Sequence, residues 1–199
     1  MVLSAAAAKA QGTDDGRVSV GAAAGIATPL HGDFDFTAAA WQLDLRLATG
    51  RFFASSIFFE QWQHTDEDVR TDQTISGPTG PIGAIDRITL RTVHCTRAVG
   101  WSLLGKSNGR VALSGGGGVS YLLYSREFSQ TLTGCVPASL CTDSNQQFDN
   151  GAFAAQVQAG VDVAVARHVA LMAQFRLLVP LEDPGSGHHN ILGGVRFRF

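Results

Sequence analysis

Apolar and polar residues alternate with a period of two along most of this chain. Between Phe36 and Ala48, Trp41, Leu43, Leu45 and Leu47 alternate with Gln42, Asp44 and Arg46. Between Phe153 and Val165 an apolar set from Phe153 to Val165 alternates with Gln156, Gln158 and Asp162, and from Val169 to Leu177 a similar set faces away from Met172, Gln174 and Arg176. The last stretch sets Ile191, Val195, Phe197 and Phe199 opposite Asn190, Arg196 and Arg198. Successive side chains of a strand point to opposite faces, so this pattern predicts strands, and helical spacing is hard to find. Eight such segments occur: Arg17 to Thr28, Asp35 to Ala48, Arg51 to Gln63, Asp86 to Leu104, Arg110 to Gln130, Asn150 to Ala166, His168 to Glu182 and His189 to Phe199. An even number of antiparallel strands lets an up-and-down meander close on itself.

The connections alternate too. ATGR, GKSNGR and the Arg167-His168 pair are tight, the second with an Asn-Gly hairpin signal. PLHGDF, the long segment from His64 to Ile85, TLTGCVPASLCTDSNQQFD and DPGSGHH are longer and more polar. Strict alternation gathers the short turns at one end and the long loops at the other, with both termini at the short-turn end. The Thr-, Asp-, Gly- and Pro-rich segment from His64 to Ile85 is expected to be the most mobile, its extremes extending the neighbouring strands.

Composition narrows the environment. A chain of 199 residues fits one domain. A net charge of -2 offers no electrostatic reason for a nucleic-acid partner. No stretch of about 20 apolar residues is present, so a membrane location requires a barrel. Periodicity fits either a soluble barrel with an apolar lumen, as in a lipocalin, or a membrane barrel with an apolar outside.

Three features bear on that choice. The non-apolar face carries both signs of charge on different strands: Asp44, Arg46, Glu60, Asp162, Arg176, Arg196 and Arg198. Inside a narrow eight-stranded lumen such groups satisfy one another; on a soluble barrel they would be a solvated outer face. Aromatic residues gather near strand ends, with Phe52, Phe53, Trp101, Phe197 and Phe199 expected as a girdle at the short-turn end. Finally, the chain ends LGGVRFRF, where Gly194 is followed after two residues by Phe197, any residue, and a terminal Phe199.

That ending resembles the assembly signal of bacterial outer-membrane β-barrels, and with the meander the resemblance to small OmpA-like or OmpX-like barrels covers nearly the whole chain. The resemblance implies an all-β fold: an eight-stranded antiparallel up-and-down transmembrane β-barrel with short periplasmic turns and longer extracellular loops. It implies a bacterial outer-membrane location, outer-membrane lipids and the assembly machinery as partners, and surface ligands held by the long loops. Residues 11–199 are the expected barrel, with no peptidoglycan-binding domain expected after it. Residues 1–10 read as the remnant of a secretory signal peptide, since Ala8-Lys9-Ala10 suggests cleavage before Gln11, although a basic leading region is missing.

The fourth strand resists this scheme. Val93, Cys95, Val99, Trp101 and Leu103 look lipid-facing, but Arg91 and Arg97 share their parity. An arginine facing lipid at mid-membrane costs about 2–4 kcal/mol. Either a bulge shifts the register near Arg97, or that face points inward and His94 faces out. The glycine run Gly115 to Gly118 lacks the helix and lysine of a phosphate loop; strong strand coiling, or room for a large neighbour in the lumen, is the expected use. Cys135 and Cys141 would close a short loop disulfide in an oxidising compartment, in preference to a zinc site lacking further ligands, while Cys95 reads as a packed thiol.

Catalysis finds little raw material. Some small outer-membrane barrels modify lipids, but the His-x-Ser pair of the lipid A deacylases is missing. A palmitoyltransferase-type site would draw on His31, Asp33, His64, Asp66, Ser186 and His188, and no nucleophile with its base can be picked out among them. His188 and His189 lack further ligands for a metal. The expectation is therefore a structural or surface-interaction protein with a side-chain-filled lumen and at most a very narrow pore, with no catalytic residues, metal or cofactor. A lipid-modifying acyl hydrolase or acyltransferase and a soluble lipocalin-like ligand-binding barrel are the alternatives.

Overall fold

The computed structural model describes residues 18–30, 37–78, 80–182 and 187–199. The expected signal remnant, residues 1–10, lies outside them, as do His31, Asp33 and Ser186. Eight strands follow one another: β1 Val18–Pro29, β2 Ala38–Ala48, β3 Phe53–Gly77, β4 Gly80–Lys106, β5 Val111–Val136, β6 Ser144–Ala166, β7 Val169–Pro180 and β8 His188–Arg198. Each strand pairs with its neighbours in sequence, and β8 pairs with β1, so the sheet is a closed barrel. The closing ladder is antiparallel and runs from Ser19 opposite Arg198 to Pro29 opposite His188.

The chain forms two compact units. Unit 1 takes the described residues of Met1–Trp62 together with Ala98–Leu122 and Ala152–Phe199; unit 2 takes Gln63–Arg97 and Leu123–Gly151. In unit 1 polarity is inverted relative to a water-soluble domain. Trp41, Leu43, Leu45 and Leu47 are exposed on β2 while Gln42, Asp44 and Arg46 between them are buried. Leu171 and Phe175 on β7 are likewise exposed, and Gln174 and Arg176 buried. Ala40, Ala54, Ala154 and Ala170 are also buried inside the ring, leaving room there for the longer polar chains.

Several boundaries differ from those expected. The segment from His64 to Ile85 is strand except at the reversal around Pro78, because β3 runs to Gly77 and β4 starts at Gly80. Its Thr65, Val69, Thr71, Thr74, Ile75 and Ile82 are β-branched and suit extended backbone, and Gly77, Pro78 and Gly80 are breakers at the point where the strands end. The loop expected from Thr131 to Asp149 shrinks in the same way, with β5 reaching Val136 and β6 starting at Ser144 around a single 3-10 turn, Ala138–Leu140.

Strand β4 takes neither arrangement expected for it. Arg97, Val99, Trp101 and Leu103 are all exposed, and Thr96, Ala98, Gly100, Ser102 and Leu104 are all buried, so the alternation is unbroken past Arg97. Arg91 is exposed on the same parity, and His94 takes the opposite one. The glycine run has its reason in a close approach. A Cβ on Gly116 or Gly118 would lie 2.0 Å from the Leu103 carbonyl oxygen or 1.9 Å from that of Trp101, so β5 coils onto β4 more tightly than any side chain allows.

Candidate functional site

While Gln156 pairs separately with Ser102, the charged side chains buried inside unit 1, with the amides beside them, form one connected network. Near its middle, Arg176 Nη1 donates to Glu60 Oε2 at 2.6 Å, with both side chains fully buried. Arg176 also donates from Nε and Nη2 to Gln158 Oε1, at 3.2 and 2.8 Å. Its guanidinium lies 3.5 Å from the centre of the Phe58 ring. Asn190 donates to the other Glu60 oxygen. Both carboxylate oxygens and all three guanidinium nitrogens of this pair are therefore engaged, as burial of charge demands.

Toward the short-turn end, two arginines share two carboxylates. Arg46 Nε and Arg196 Nη2 each lie 3.0 Å from Asp44 Oδ2. Arg196 Nη1 pairs with Asp162, and Arg46 Nη1 is 3.5 Å from the same carboxylate. Gln174 joins the two groups, accepting from Arg46 at 3.3 Å and donating to Gln158 at 3.0 Å. Alternating strands explain the convergence, because each of these residues is inward on its own strand. Of the seven charged residues expected there, Arg198 stands apart from these pairs, half-exposed on the inward parity at the short-turn end. Gln42, Gln158, Gln174, Asn190 and Phe58 complete the network and were not among the expected residues.

The aromatic residues fall into two sets. Phe52, Phe53, Phe197 and Phe199 are exposed at the short-turn end. Trp101 sits five residues inside β4 from Lys106, so it does not belong to that rim; its indole Nε1 donates to Ser55 Oγ at 2.6 Å. A second set, absent from the sequence reading, lies toward the other end of unit 1. It contains Trp41 with Phe59, centroids 5.2 Å apart, and Tyr121 with Phe153, 5.1 Å apart.

Unit 2 carries the remaining candidates. Cys135 and Cys141 are disulfide-bonded, Cα atoms 5.5 Å apart, and Cys95 is a free thiol. Leu140 within this loop packs over Gly83, where a Cβ would lie 2.4 Å from its Cδ1. His64 Nε2 is 2.8 Å from Asp66 Oδ1. Partial burial, and then the nearby Arg126, holds the His94 imidazole below the usual histidine range; Asp66 opposes them. In unit 1, by contrast, His188 is buried with its ring 4.2 Å from that of Trp62, while His189 is beside Phe175. Adjacent residues on a strand point to opposite faces, so these two histidines do not converge on one metal ion. No group of three metal-ligating residues occurs among the described residues.

No protein-family model matches the chain, and no curated protein matches it. Solved structures do. Ail, the attachment invasion locus protein of Yersinia pestis, solved in complex with the heparin analogue sucrose octasulfate, is 13% identical, with 92% of this chain and 96% of that one aligned at a TM-score of 0.55. A major outer membrane protein from Thermus thermophilus is also 13% identical, with 92% and 98% aligned at a TM-score of 0.55. The likeness is one of fold: the chain is built on the same eight-stranded barrel as these two bacterial proteins.

Proposed function

We propose that the protein is an integral barrel of the bacterial outer membrane with a structural or surface-interaction role. The observation that carries this reading is the inverted polarity of unit 1, whose outside is a belt of exposed Trp, Leu, Val and Phe and whose inside holds paired arginines and carboxylates. Only a lipid solvent favours that arrangement. A lipocalin-like barrel would need an apolar lumen, and this one is crossed by ion pairs.

The dimensions agree. Along β5 the exposed apolar residues run from Val111 to Leu123. Twelve residues at about 3.4 Å, on strands tilted about 40°, span about 31 Å, enough to cover the apolar band of about 25 Å in such barrels. Arg97 precedes Lys106 by nine residues on β4 and so stands about 23 Å from the short-turn end by the same rise and tilt. That is the far rim of the band, where an outward arginine costs about 0–1 kcal/mol. The Trp101 indole would face hydrocarbon, and Ser55 gives its N–H the partner that lipid cannot.

Gly194, Phe197 and Phe199 are read as the signal for the assembly machinery, and unit 2 as the surface available to ligands. The sulfated ligand of Ail is not carried over. Unit 2 holds eight carboxylates against five arginines, a net charge of -3 unsuited to a polyanion. We infer no enzymatic activity: His64 and Asp66 meet, but no nucleophile is identified beside them among the described residues. Fractionation with outer membranes and heat-modifiable gel migration are the expected results; recovery as a soluble periplasmic monomer would overturn the assignment. Acyl release or transfer from lipopolysaccharide or phospholipid would overturn the non-enzymatic reading.

A further inference from the structure

We infer that the short-turn rim of unit 1 binds anionic glycerophospholipid headgroups, one at each of its three turns; the inference rests on the membrane reading above and names the lipid. Every short turn carries an arginine: Arg51 between β2 and β3, Arg110 between β4 and β5, and Arg167 between β6 and β7. All three are exposed, and none forms an ion pair among the described residues. The carboxylate side chains of unit 1 among those residues are Asp44, Glu60, Asp162 and Glu182. The first three are buried and already paired with arginines, and Glu182 follows β7 at the opposite end of that strand. No uncommitted carboxylate side chain of the described residues therefore stands beside the three turn arginines, and their partner has to come from outside the chain.

Each cation stands where the apolar wall ends. Arg110 directly precedes Val111, the first exposed apolar residue of β5; Arg51 precedes the exposed Phe52 and Phe53; Arg167 lies two residues past the exposed Val165. The Arg51 guanidinium carbon is 5.3 Å from the centre of the Phe52 ring, so that charge rests against an exposed aromatic surface. An arginine at such a boundary lays its stem on apolar surface and keeps its head among polar groups. A phosphate carried on acyl chains matches both halves, its chains continuing the apolar wall and its oxygens accepting the paired guanidinium N–H groups. Strands about 4.8 Å apart and tilted about 40° place turns two strands apart on the ring about 12 Å from one another. That spacing offers each phosphate one arginine, which suits a lipid with a single phosphate and not a polyphosphorylated lipid A, whose charge calls for clustered cations. A choline headgroup neutralises its own phosphate, so the favoured lipid is one whose headgroup stays net negative.

The test places the full chain in nanodiscs of phosphatidylcholine with increasing fractions of phosphatidylglycerol at constant ionic strength, and follows the arginine Nε–H resonances. Saturable shifts of the Arg51, Arg110 and Arg167 signals are expected, with phosphatidylglycerol preferred over phosphatidylcholine by about fivefold per site, the worth of one arginine near an anionic surface. The preference is expected to collapse in about 1 M salt, where charges are screened beyond about 3 Å. Combining Arg51→Gln, Arg110→Gln and Arg167→Gln should abolish the preference, read from the lipids retained with the barrel, while lysine at the same three positions should keep most of it. Incorporation into discs of phosphatidylcholine alone checks the membrane reading separately. Absence from discs of either composition would overturn that reading, whereas incorporation with no preference for phosphatidylglycerol would overturn this inference alone. An unchanged preference in the glutamine variant, or a stronger response of the three signals to lipid A than to phosphatidylglycerol, would overturn it as well.

Discussion

Replacing Glu60 by glutamine is the most direct test of how the lumen is held together. It removes one charge, alters volume little, and leaves Arg176 fully buried without its counter-ion. Breaking a buried pair in this way costs about 3–5 kcal/mol, because the remaining charge stays out of water. Two features of this site bring the expectation toward the lower figure. Gln158 continues to accept two hydrogen bonds from Arg176, and the Phe58 ring under the guanidinium contributes on the order of 1–2 kcal/mol through its π face. The expected loss is therefore about 3 kcal/mol.

The converse change, Arg176→Met, strands Glu60 with Asn190 as its remaining donor, and is expected to cost about 3–5 kcal/mol. Removing both charges together removes the reason for either penalty. The double variant should lie within about 1 kcal/mol of the native protein, which with these single losses gives a coupling energy of about 5 kcal/mol or more. Urea unfolding in micelles, followed by tryptophan fluorescence and by the fraction of folded migrating form on gels, supplies all four corners of the cycle. Additive losses, with a coupling below about 0.5 kcal/mol, would refute the view that the pair acts as a unit.

Other expectations concern unit 2 and the barrel seam. The His94 imidazole is held below its usual range, so the folded state resists a proton that the unfolded chain accepts; stability is present above about pH 6.5, the ordinary value, and falls as pH drops from there toward the folded pKa. By NMR titration, Arg126→Gln should raise the His94 pKa and Asp66→Asn should lower it; movement the other way would contradict the causes given. The Cys135–Cys141 bond closes a loop of sequence separation 6, worth about 2 kcal/mol on a chain-entropy basis. Its double serine variant should be cleaved faster by protease between Gly134 and Asp143, and an unchanged rate would count against it. Gly194→Ala should lower folding yield and stability in detergent by about 1–3 kcal/mol through overpacking, with no assembly machinery present, whereas Phe199→Ala should fold there normally and lose assembly only in cells.

The barrel of unit 1 was legible because one face of each strand is apolar and the other is not. Asp44, Arg46, Asp162, Arg176 and Arg196 stand on the polar phase of clean alternations, and each is buried. Strand β3 shows where that reasoning stops. Phe53 and Ile57 face outward while Phe58 and Trp62 face inward, so both faces read as apolar and the aromatic platform beneath Arg176 had no signal. Neutral amides such as Gln158 and Gln174 sat on the right parity, but only three-dimensional convergence reveals which of them bridge the charged pairs. The long strands of unit 2 were hidden for the opposite reason. With polar residues on both faces, as in HTDEDVRTDQT, a strand loses its period-two signature and reads as loop.

The closing seam gives the C-terminal glycine a second meaning. In the β1–β8 ladder Ala22, Ala23 and Ala24 face Val195, Gly194 and Gly193, so small residues occupy much of the middle of the junction. A Cβ on Gly194 would lie 2.0 Å from the Ala22 carbonyl oxygen, which leaves glycine as the only residue the approach allows. This ladder joins the two strands farthest apart in sequence, and its pairing carries the largest loop-closure cost of the meander. Lacking bulky interlocking side chains there, it gains its stability from the ladder itself and from Arg196, which reaches across from β8 to Asp44 of β2 and to Asp162 of β6. Phe197 on the same strand and Phe199 just beyond its end are exposed and take no part in those bonds. One short stretch thus divides by parity: the inward residues lock the ring, and the outward aromatics take no part in that lock.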